Sequence, residues 1–186
     1  LVEYLESPVA KGLADKNAYV RRSAVMGVLK IYHLEEAAVH RTNLLGSVKE
    51  LLGSDSDPQV IANCLRVIKE IEGIDALVDK SLVYGLLNRM KDFNEWSQCL
   101  ILEIVSAYCL RLSGEEEMFE IMNHLEDRLQ SANSAVVLAT VRVFLHGTLA
   151  IGDSASHQEV LERIKAPMFT LVGSASAEGA FALLSH

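Results

Sequence analysis

The sequence contains few of the residues on which turn-rich and sheet-rich folds depend. Of its 186 residues only three are proline and 11 are glycine, and only 6% are aromatic. Half of the residues are nevertheless hydrophobic, so the apolar content consists mainly of leucine, valine, isoleucine and alanine. This composition favours packed helices over a β-fold.

Cysteine is also scarce, and its spacing excludes two kinds of site. Cys64, Cys99 and Cys109 are odd in number and widely separated, which is typical of buried thiols in a reducing compartment rather than of a disulfide framework. No spacing among the cysteines and histidines matches a zinc motif, so we expect no metal site. The six histidines are His33, His40, His124, His146, His157 and His186.

Neither a basic cluster nor a phosphate-binding or nucleophile motif is present. The formal net charge of −8 repels phosphate backbones, which argues against nucleic acid as the main ligand. The glycines fall singly, so no glycine-rich phosphate loop occurs. We therefore expect no catalytic residues, no cofactor and no enzymatic activity.

One apolar stretch, residues 135–152, approaches the length of a membrane span. Arg142 lies near its centre, where a charge costs about 2.5–3.5 kcal/mol on insertion scales, and His146 adds to that cost. The stretch is therefore predicted to be a buried helix of a globular domain. No signal or transit peptide is visible.

A pattern of polar turn and apolar helix recurs about every 40 residues. In the clearest copy, residues 13–32, Asp15 lies five residues before Val20, Arg21 lies one after it, and Ala24 lies four after it. The positions equivalent to Val20 are Val60, Trp96, Val136 and Gly179, separated by 40, 36, 40 and 43 residues. This period, with two helices in each unit, is typical of HEAT/armadillo solenoids.

The repeats predict an all-α, right-handed superhelix of about five helix pairs in one domain. Each polar turn would cap the following helix, as Asp57 and Pro58 would at one start. Val20, Val60, Trp96 and Val136 are predicted to be buried at equivalent places. The predicted helices are 1–14 and 18–33, 36–53 and 57–71, 80–91 and 93–110, 115–131 and 133–149, and 156–173 and 176–186.

Three groups of charged residues admit both a structural and a binding interpretation. Arg21, with Asp15, is expected to join a hydrogen-bond ladder within and between units. Arg22 projects about 100° further round the helix, so it is predicted to be a solvated charge or a partner contact. The run Glu115, Glu116 and Glu117 is expected to occupy the first turn of a helix, where carboxylates are favourable.

Several of these segments resemble the trunk of β-adaptins, the large β subunits of adaptor protein complexes. The matching strings are AYVRRSAV (18–25), IANCLRVIKEI (61–71), NEWSQCLIL (94–102) and ANSAVVLATVRVF (132–144). Strings such as LLNRM, EEEMFEIMNHLEDRL and ERIKAPMFTLV are most similar to the β subunit of the fourth adaptor complex, in its plant form. The resemblance extends over essentially the whole chain.

This resemblance implies a scaffold within a heterotetramer of two large subunits, one medium and one small. It implies recruitment by an Arf-family GTPase, peripheral association with trans-Golgi network or endosomal membranes, and a part in vesicle-mediated protein sorting. The alternative is a HEAT scaffold of coatomer, nuclear import or a phosphatase. Residues 1–186 are expected to be a piece of the trunk truncated at both ends, with uncapped ends that fray or self-associate.

Overall fold

The computed structural model describes residues 2–112, 114–148 and 154–174. All regular secondary structure in these ranges is helical, which confirms the predicted all-α class. The α-helices described are α1 (Glu3–Leu13), α2 (Ala18–Leu34), α3 (Glu36–Arg41), α4 (Leu44–Ser54), α5 (Pro58–Glu72), α6 (Lys80–Asn88), α7 (Glu95–Cys109), α8 (Glu115–Leu125), α9 (Ser134–Thr148) and α10 (Ser154–Ser174). Short 3-10 helices span Ile74–Leu77, Met90–Asp92 and Glu126–Gln130.

The predicted helix 36–53 is in fact two helices, because the chain leaves helical geometry at Asn43. Asn43 has φ 53°, in the left-handed region that asparagine tolerates better than most residues. Its side chain lies over Gly46, where a β-carbon would overlap it. The prediction missed this break because neither glycine nor proline marks it in the sequence.

Three further α-helices are shorter than predicted. The helix predicted at 80–91 ends as an α-helix at Asn88. The helix predicted at 93–110 begins only at Glu95, because Asn94 caps it. The helix predicted at 115–131 ends as an α-helix at Leu125 and continues as a 3-10 helix. The helix predicted at 176–186, with its reference position Gly179, lies outside the described residues.

The chain divides into two compact units. The first comprises Leu1–Leu82 with Arg89–Leu100, and the second comprises Val83–Asn88 with Ile101–His186. In the first unit α2 packs against both α1 and α5, and α4 packs against α5. Its fully buried core side chains include Val25, Val28, Val48, Val60, Leu65 and Val67.

In the second unit, α9 packs against α8, against α10 and against the 3-10 helix Glu126–Gln130. The apolar faces of these helices form the core, since each helix is too short to be stable without packing. The side chains with no exposed surface include Met118, Ile121, Met122, Leu125, Val136, Val143 and Phe144.

Two of the four predicted core positions are confirmed and two are wrong. Val60 and Val136 have no exposed surface, whereas Val20 is 37% exposed and Trp96 is 82% exposed. Val60 lies in a helix that packs against both α4 of its own pair and α2 of the preceding pair.

The closest approach of α1 and α2 gives a testable prediction. A β-carbon at Gly12 would lie 2.8 Å from the β-carbon of Ala24, which cannot rotate away. We expect Gly12→Ala to force the helices apart and to lower the free energy of unfolding by about 1–2 kcal/mol. Urea denaturation followed by circular dichroism measures this change.

Gly53 provides a matched control, because it is also the second-last residue of its helix. No atom lies within 4 Å of a β-carbon built there, so only the gain in helix propensity operates. Gly53→Ala should raise stability by up to about 1 kcal/mol. Equal effects of the two substitutions would contradict the close packing at Gly12.

Candidate functional site

The start of the second helix of each of the first four repeats is positioned by an asparagine or aspartate cap. The cap oxygens accept hydrogen bonds from backbone N–H groups of the first turn, which have no partner inside the helix. The cap residues recur at intervals of 40, 37 and 39 residues. They are Asn17 (from Tyr19, 2.9 Å), Asp57 (from Val60, 2.9 Å), Asn94 (from Ser97, 2.9 Å) and Asn133 (from Ala135, 2.9 Å).

Arg21 joins two successive repeats, as the sequence predicted. Its guanidinium donates to both carboxylate oxygens of Asp55, at 2.6 and 3.1 Å, and to the backbone carbonyls of Asp15 and Lys16. The partner carboxylate is therefore that of Asp55 in the next repeat, while Asp15 contributes its carbonyl. Such a two-pronged contact fixes orientation as well as distance.

Asp55 is nearly fully buried, with 2% of its side chain exposed. Burial acts to raise the pKa of Asp55, but the hydrogen bonds from Arg21 and from the N–H of Asp57 outweigh it and lower that pKa. The carboxylate is thus ionised at neutral pH and makes hydrogen bonds to both repeats.

The expectation that Arg22 is a solvated charge was wrong, whereas a contact with a partner protein stays a prediction. Arg22 donates to both carboxylate oxygens of Asp57 at 2.9 and 2.5 Å. The hydrogen bond from Arg22 holds the pKa of Asp57 below its usual range, although partial burial opposes this. The same carboxylate caps α5, so this pair also ties the helix start to the preceding repeat.

Side-chain amides extend these contacts across the surface of the first unit. Asn94 donates to Gln59 at 3.1 Å, Gln59 donates to Asn63 at 3.0 Å, and Asn63 donates to the Arg22 carbonyl at 3.1 Å. An open pocket of about 220 Å³ adjoins this chain of amides. It is lined by Arg22, Pro58, Gln59, Asp92, Phe93, Asn94 and Ser97.

The alignment of repeats placed the position equivalent to Val20 one residue too early in the third repeat, at Trp96. Counting from the helix start, Val20, Val60 and Val136 are third residues, whereas Trp96 is the second residue of α7. Ser97 is the true equivalent, and it is only 5% exposed. Trp96 therefore faces outward, and the prediction that it packs in the core was wrong.

In the second unit, Glu117 is the centre of a polar cluster that the sequence did not reveal. The run Glu115–Glu117 does form the first turn of α8, as predicted. In addition, Glu117 accepts a hydrogen bond from the hydroxyl of Tyr108 at 2.7 Å, and the hydroxyl of Tyr84, which lies 3.5 Å from Glu117, donates to Glu120 at 2.9 Å. Burial and the neighbouring glutamates raise the pKa of Tyr84, so its hydroxyl remains a donor.

The thiols and histidines do not form a reactive or metal-binding arrangement among the described residues. Cys64 and Cys109 are buried, and burial raises the pKa of each thiol to about 12, which keeps it protonated. Within residues 2–112, 114–148 and 154–174 no group of histidine, cysteine and acidic side chains could hold a metal ion. His186 lies outside these ranges.

Most of the apolar stretch at residues 135–152, which approaches the length of a membrane span, belongs to the amphipathic helix α9. Its Arg142 is exposed, while Val136, Val143 and Phe144 have no exposed surface. No helix in the described part of the chain has the length and apolar character that crossing a membrane requires.

The chain is similar in sequence to a family model and to several curated proteins. The model described as Cnd1, non-SMC mitotic condensation complex subunit 1, matches residues 1–146, so the chain belongs to the family that this model covers. Beta-adaptin-like protein A of Arabidopsis thaliana is 49% identical in an alignment of 198 positions that covers 100% of this chain. The AP-4 beta subunits of Dictyostelium discoideum and Mus musculus are 38% and 37% identical over 100% and 99% of it.

The chain belongs to the β-adaptin family. It spans only 23%, 22% and 24% of the length of these three relatives, respectively. Among solved structures, a designed armadillo repeat protein in complex with the peptide (KR)4 matches with a TM-score of 0.57 at 20% identity. That match covers 97% of this chain and 80% of the designed protein, and it shows that this β-adaptin segment has the fold of an armadillo-type α-solenoid.

The features that sequence analysis missed in this β-adaptin segment are contacts between repeats. The partners of Arg21 and Arg22 lie 34 and 35 residues further along the chain. One signal was available. Asp55 and Asp57 lie five and three residues before Val60, and Arg21 and Arg22 lie one and two residues after Val20, the equivalent position of the preceding repeat. No comparable signal identifies Tyr108 as the partner of Glu117.

Proposed function

We propose that this segment is a non-enzymatic scaffold within a heterotetrameric adaptor complex that sorts membrane proteins into vesicles. The observation that carries the proposal is its similarity, along the whole chain, to proteins named as β subunits of adaptor complexes. The segment then forms part of the trunk of a longer subunit.

The geometry suits a scaffold. Arg21 and Arg22 each bind a carboxylate of the next repeat through two hydrogen bonds, so relative movement of these repeats would break four bonds together. These polar groups are engaged in joining repeats rather than converging on a reacting atom. A rigid unit can hold several protein partners in a constant arrangement.

The proposed partners are the medium subunit, the small subunit and the second large subunit of the complex, with an Arf-family GTPase as the recruiting factor. The proposed location is the cytoplasmic side of trans-Golgi network and endosomal membranes, which the similarity to AP-4 beta subunits supports. Association with the membrane is then peripheral and depends on the assembled complex.

A second candidate is a repeat scaffold of another assembly. The specific observation in its favour is the match of residues 1–146 to the family model of a mitotic condensation complex subunit. Coatomer, nuclear import and phosphatase scaffolds belong to the same alternative. All of these share a solenoid fold, so the fold does not distinguish them.

Affinity capture distinguishes the two candidates. The tagged chain, incubated with an Arabidopsis thaliana cell extract, should recover medium, small and second large adaptor subunits, identified by mass spectrometry. The matched control is the Val60→Asp variant, which differs by one buried residue and should be strongly destabilised, so that it recovers less of these partners. Recovery of condensation or coatomer subunits without adaptor subunits would refute the adaptor assignment.

A further inference from the structure

A hydroxyl without a partner opens onto the pocket of the first unit. Ser97 is only 5% exposed, and its hydroxyl has no hydrogen-bond partner in the described part of the chain, although its N–H is bonded to Asn94. No fully buried side-chain oxygen or nitrogen in the described ranges lacks a partner, so the hydroxyl reaches the space of the pocket that Ser97 lines. Because buried hydroxyls are nearly always bonded, this one marks a place for a polar group of a ligand.

Arg22 and Asp92, which line the same pocket, also keep hydrogen-bonding atoms that no other described side chain uses. Arg22 binds Asp57 through Nε and Nη2, which leaves both hydrogens of Nη1. Asp92 accepts from the Nε of Arg89 through Oδ2 at 3.2 Å, which leaves Oδ1. The lining of the pocket thus offers donors at Arg22 and Ser97 and an acceptor at Asp92.

The charges of the lining are compensated within the protein, so the pocket favours an uncharged ligand. Arg22 is paired with Asp57, and Asp92 is paired with Arg89. An anion bound at Arg22 would meet the carboxylate of Asp92, and a cation bound at Asp92 would meet the guanidinium of Arg22, because both line one small pocket. An apolar group would leave the donors and the acceptor without partners.

The volume of the pocket, about 220 Å³, suits one side chain rather than a whole small molecule. Pockets for free ligands and cofactors enclose about 300–1,000 Å³. Trp96 directly precedes Ser97 and is 82% exposed, so it offers a large aromatic surface to the chain that carries the bound side chain. Both observations favour a side chain of a partner protein as the ligand.

We propose that this pocket, formed around Arg22, Asp92 and Ser97, binds the carboxamide side chain of a glutamine or asparagine in a partner protein. The carbonyl oxygen of the carboxamide accepts from Nη1 of Arg22 and from the hydroxyl of Ser97, and its NH2 group donates to Asp92. A carboxamide is the uncharged side chain that presents an acceptor and donors at one end. We call this site the carboxamide pocket.

The wall of the carboxamide pocket is fixed by hydrogen bonds within the first unit. Asn94 caps α7 by accepting from the N–H of Ser97 through its side-chain oxygen, so its side-chain nitrogen is directed to Gln59, at 3.1 Å. Gln59 in turn donates to Asn63 at 3.0 Å. Side chains that are already held in place lose little freedom when a ligand binds, which favours affinity.

Trp96 is the only tryptophan of the chain and adjoins Ser97, so its fluorescence reports on the carboxamide pocket. The probe, titrated into the whole chain, is the peptide acetyl-Ala-Leu-Gln-Leu-Ala with a C-terminal N-methylamide, which adds no second NH2 group. We expect a saturable change in emission with a dissociation constant on the order of 1 mM, since one side chain is bound. Peptides with glutamate, lysine or leucine in place of glutamine should bind at least fivefold more weakly.

Ser97→Ala tests the hydroxyl. It should weaken binding of the glutamine peptide at least fivefold and leave binding of the leucine peptide within twofold. The matched control is Ser106→Ala, because Ser106 is a serine of the same helix with a similar exposure of 4% but lies outside the pocket. The control should bind the glutamine peptide within twofold of the unchanged chain, and circular dichroism should show all three proteins to be equally helical.

Asp92→Asn tests the acceptor through a change of preference. The Nε of Arg89 still requires an oxygen, so the new asparagine directs its oxygen to Arg89 and keeps its NH2 group for the pocket. Arg89 also donates to the carbonyl of Ser56 at 2.7 Å, which holds it in place. The pocket then lacks its carboxylate, and the ratio of affinities for the glutamine and glutamate peptides should fall at least tenfold. A merely structural effect would weaken both peptides equally.

Several outcomes would overturn the proposal. These are equal binding of the glutamine and leucine peptides, equal effects of Ser97→Ala and Ser106→Ala, and an unchanged preference in Asp92→Asn. Free propionamide, which has the same functional group, should bind at least fivefold more weakly than the glutamine peptide, and equal affinity would assign the pocket to small amides instead of a partner protein. None of these results depends on the capture of adaptor subunits, so this test is independent of the proposed function.

Discussion

Replacing Val60 by aspartate is expected to lower the free energy of unfolding by about 3–5 kcal/mol, a large part of the stability of a domain. Val60 has no exposed surface and lies in α5, which packs against α2 and α4. A carboxylate at this place would lose its hydration without gaining a cationic partner. Urea unfolding monitored by circular dichroism measures the difference.

The same substitution at the equivalent place in the preceding repeat provides the control. Val20 is also the third residue of its helix but is 37% exposed, so Val20→Asp should cost less than about 1 kcal/mol. A carboxylate in the first turn is even favourable to the helix dipole. Glu116→Ala, at an exposed position, should cost less than roughly 0.5 kcal/mol.

If Val60→Asp and Val20→Asp unfolded at the same urea concentration, the inference that Val60 is more tightly packed than Val20 would be wrong. If Glu116→Ala were as damaging as Val60→Asp, the identification of the core itself would fail. The two valine substitutions change the same residue type at the same helical position, so helix propensity cancels between them.

Asp55→Ala is expected to lower the free energy of unfolding by about 2–3 kcal/mol. The substitution removes both hydrogen bonds from Arg21 and the one from the N–H of Asp57 at 2.8 Å. The last of these leaves a backbone donor of the turn before α5 without its acceptor. Glu50→Ala is the control, because Glu50 is an exposed acid of the same helix pair and should change stability by less than about 0.5 kcal/mol.

Acid sensitivity provides a second measurement of the same contact. The pKa values of Asp55 and Asp57 are lowered in the folded chain, so the stabilisation they provide is complete above the unfolded value, near 4. It is lost as the pH falls through the lower folded values. Between pH 6 and pH 3 the unchanged chain should therefore lose more stability than Asp55→Ala, and parallel curves would contradict the pairing with Arg21.

Much of the fold could be predicted from local patterns in the sequence. Asn17, Asp57 and Asn133 precede apolar helices and lie 40 and 76 residues apart, which is one and about two repeat periods. An N-cap acts within a single turn, so its effect is visible in a few adjacent letters. The apolar stripe containing Val60, Cys64 and Val67 likewise follows from helical periodicity. Helix pairs, all-α class and repeat architecture all follow from information of this local kind.

The alignment of repeats missed two local features, and the tertiary structure alone decided a third. The outward position of Trp96 depends on Asn94 starting α7 one residue later than the alignment of repeats suggested. The break at Asn43 depends on a backbone conformation that several residue types can adopt or avoid.

The pairing of Arg22 with Asp57 is the clearest case, because helical periodicity alone made Arg22 a solvated charge. A side chain that points away from its own helix is solvated only if no neighbouring repeat supplies a partner. Which residues of one repeat face which residues of the next depends on how the helices stack. Since stacking is set by packing between segments about 35 residues apart, local sequence carries little of that information.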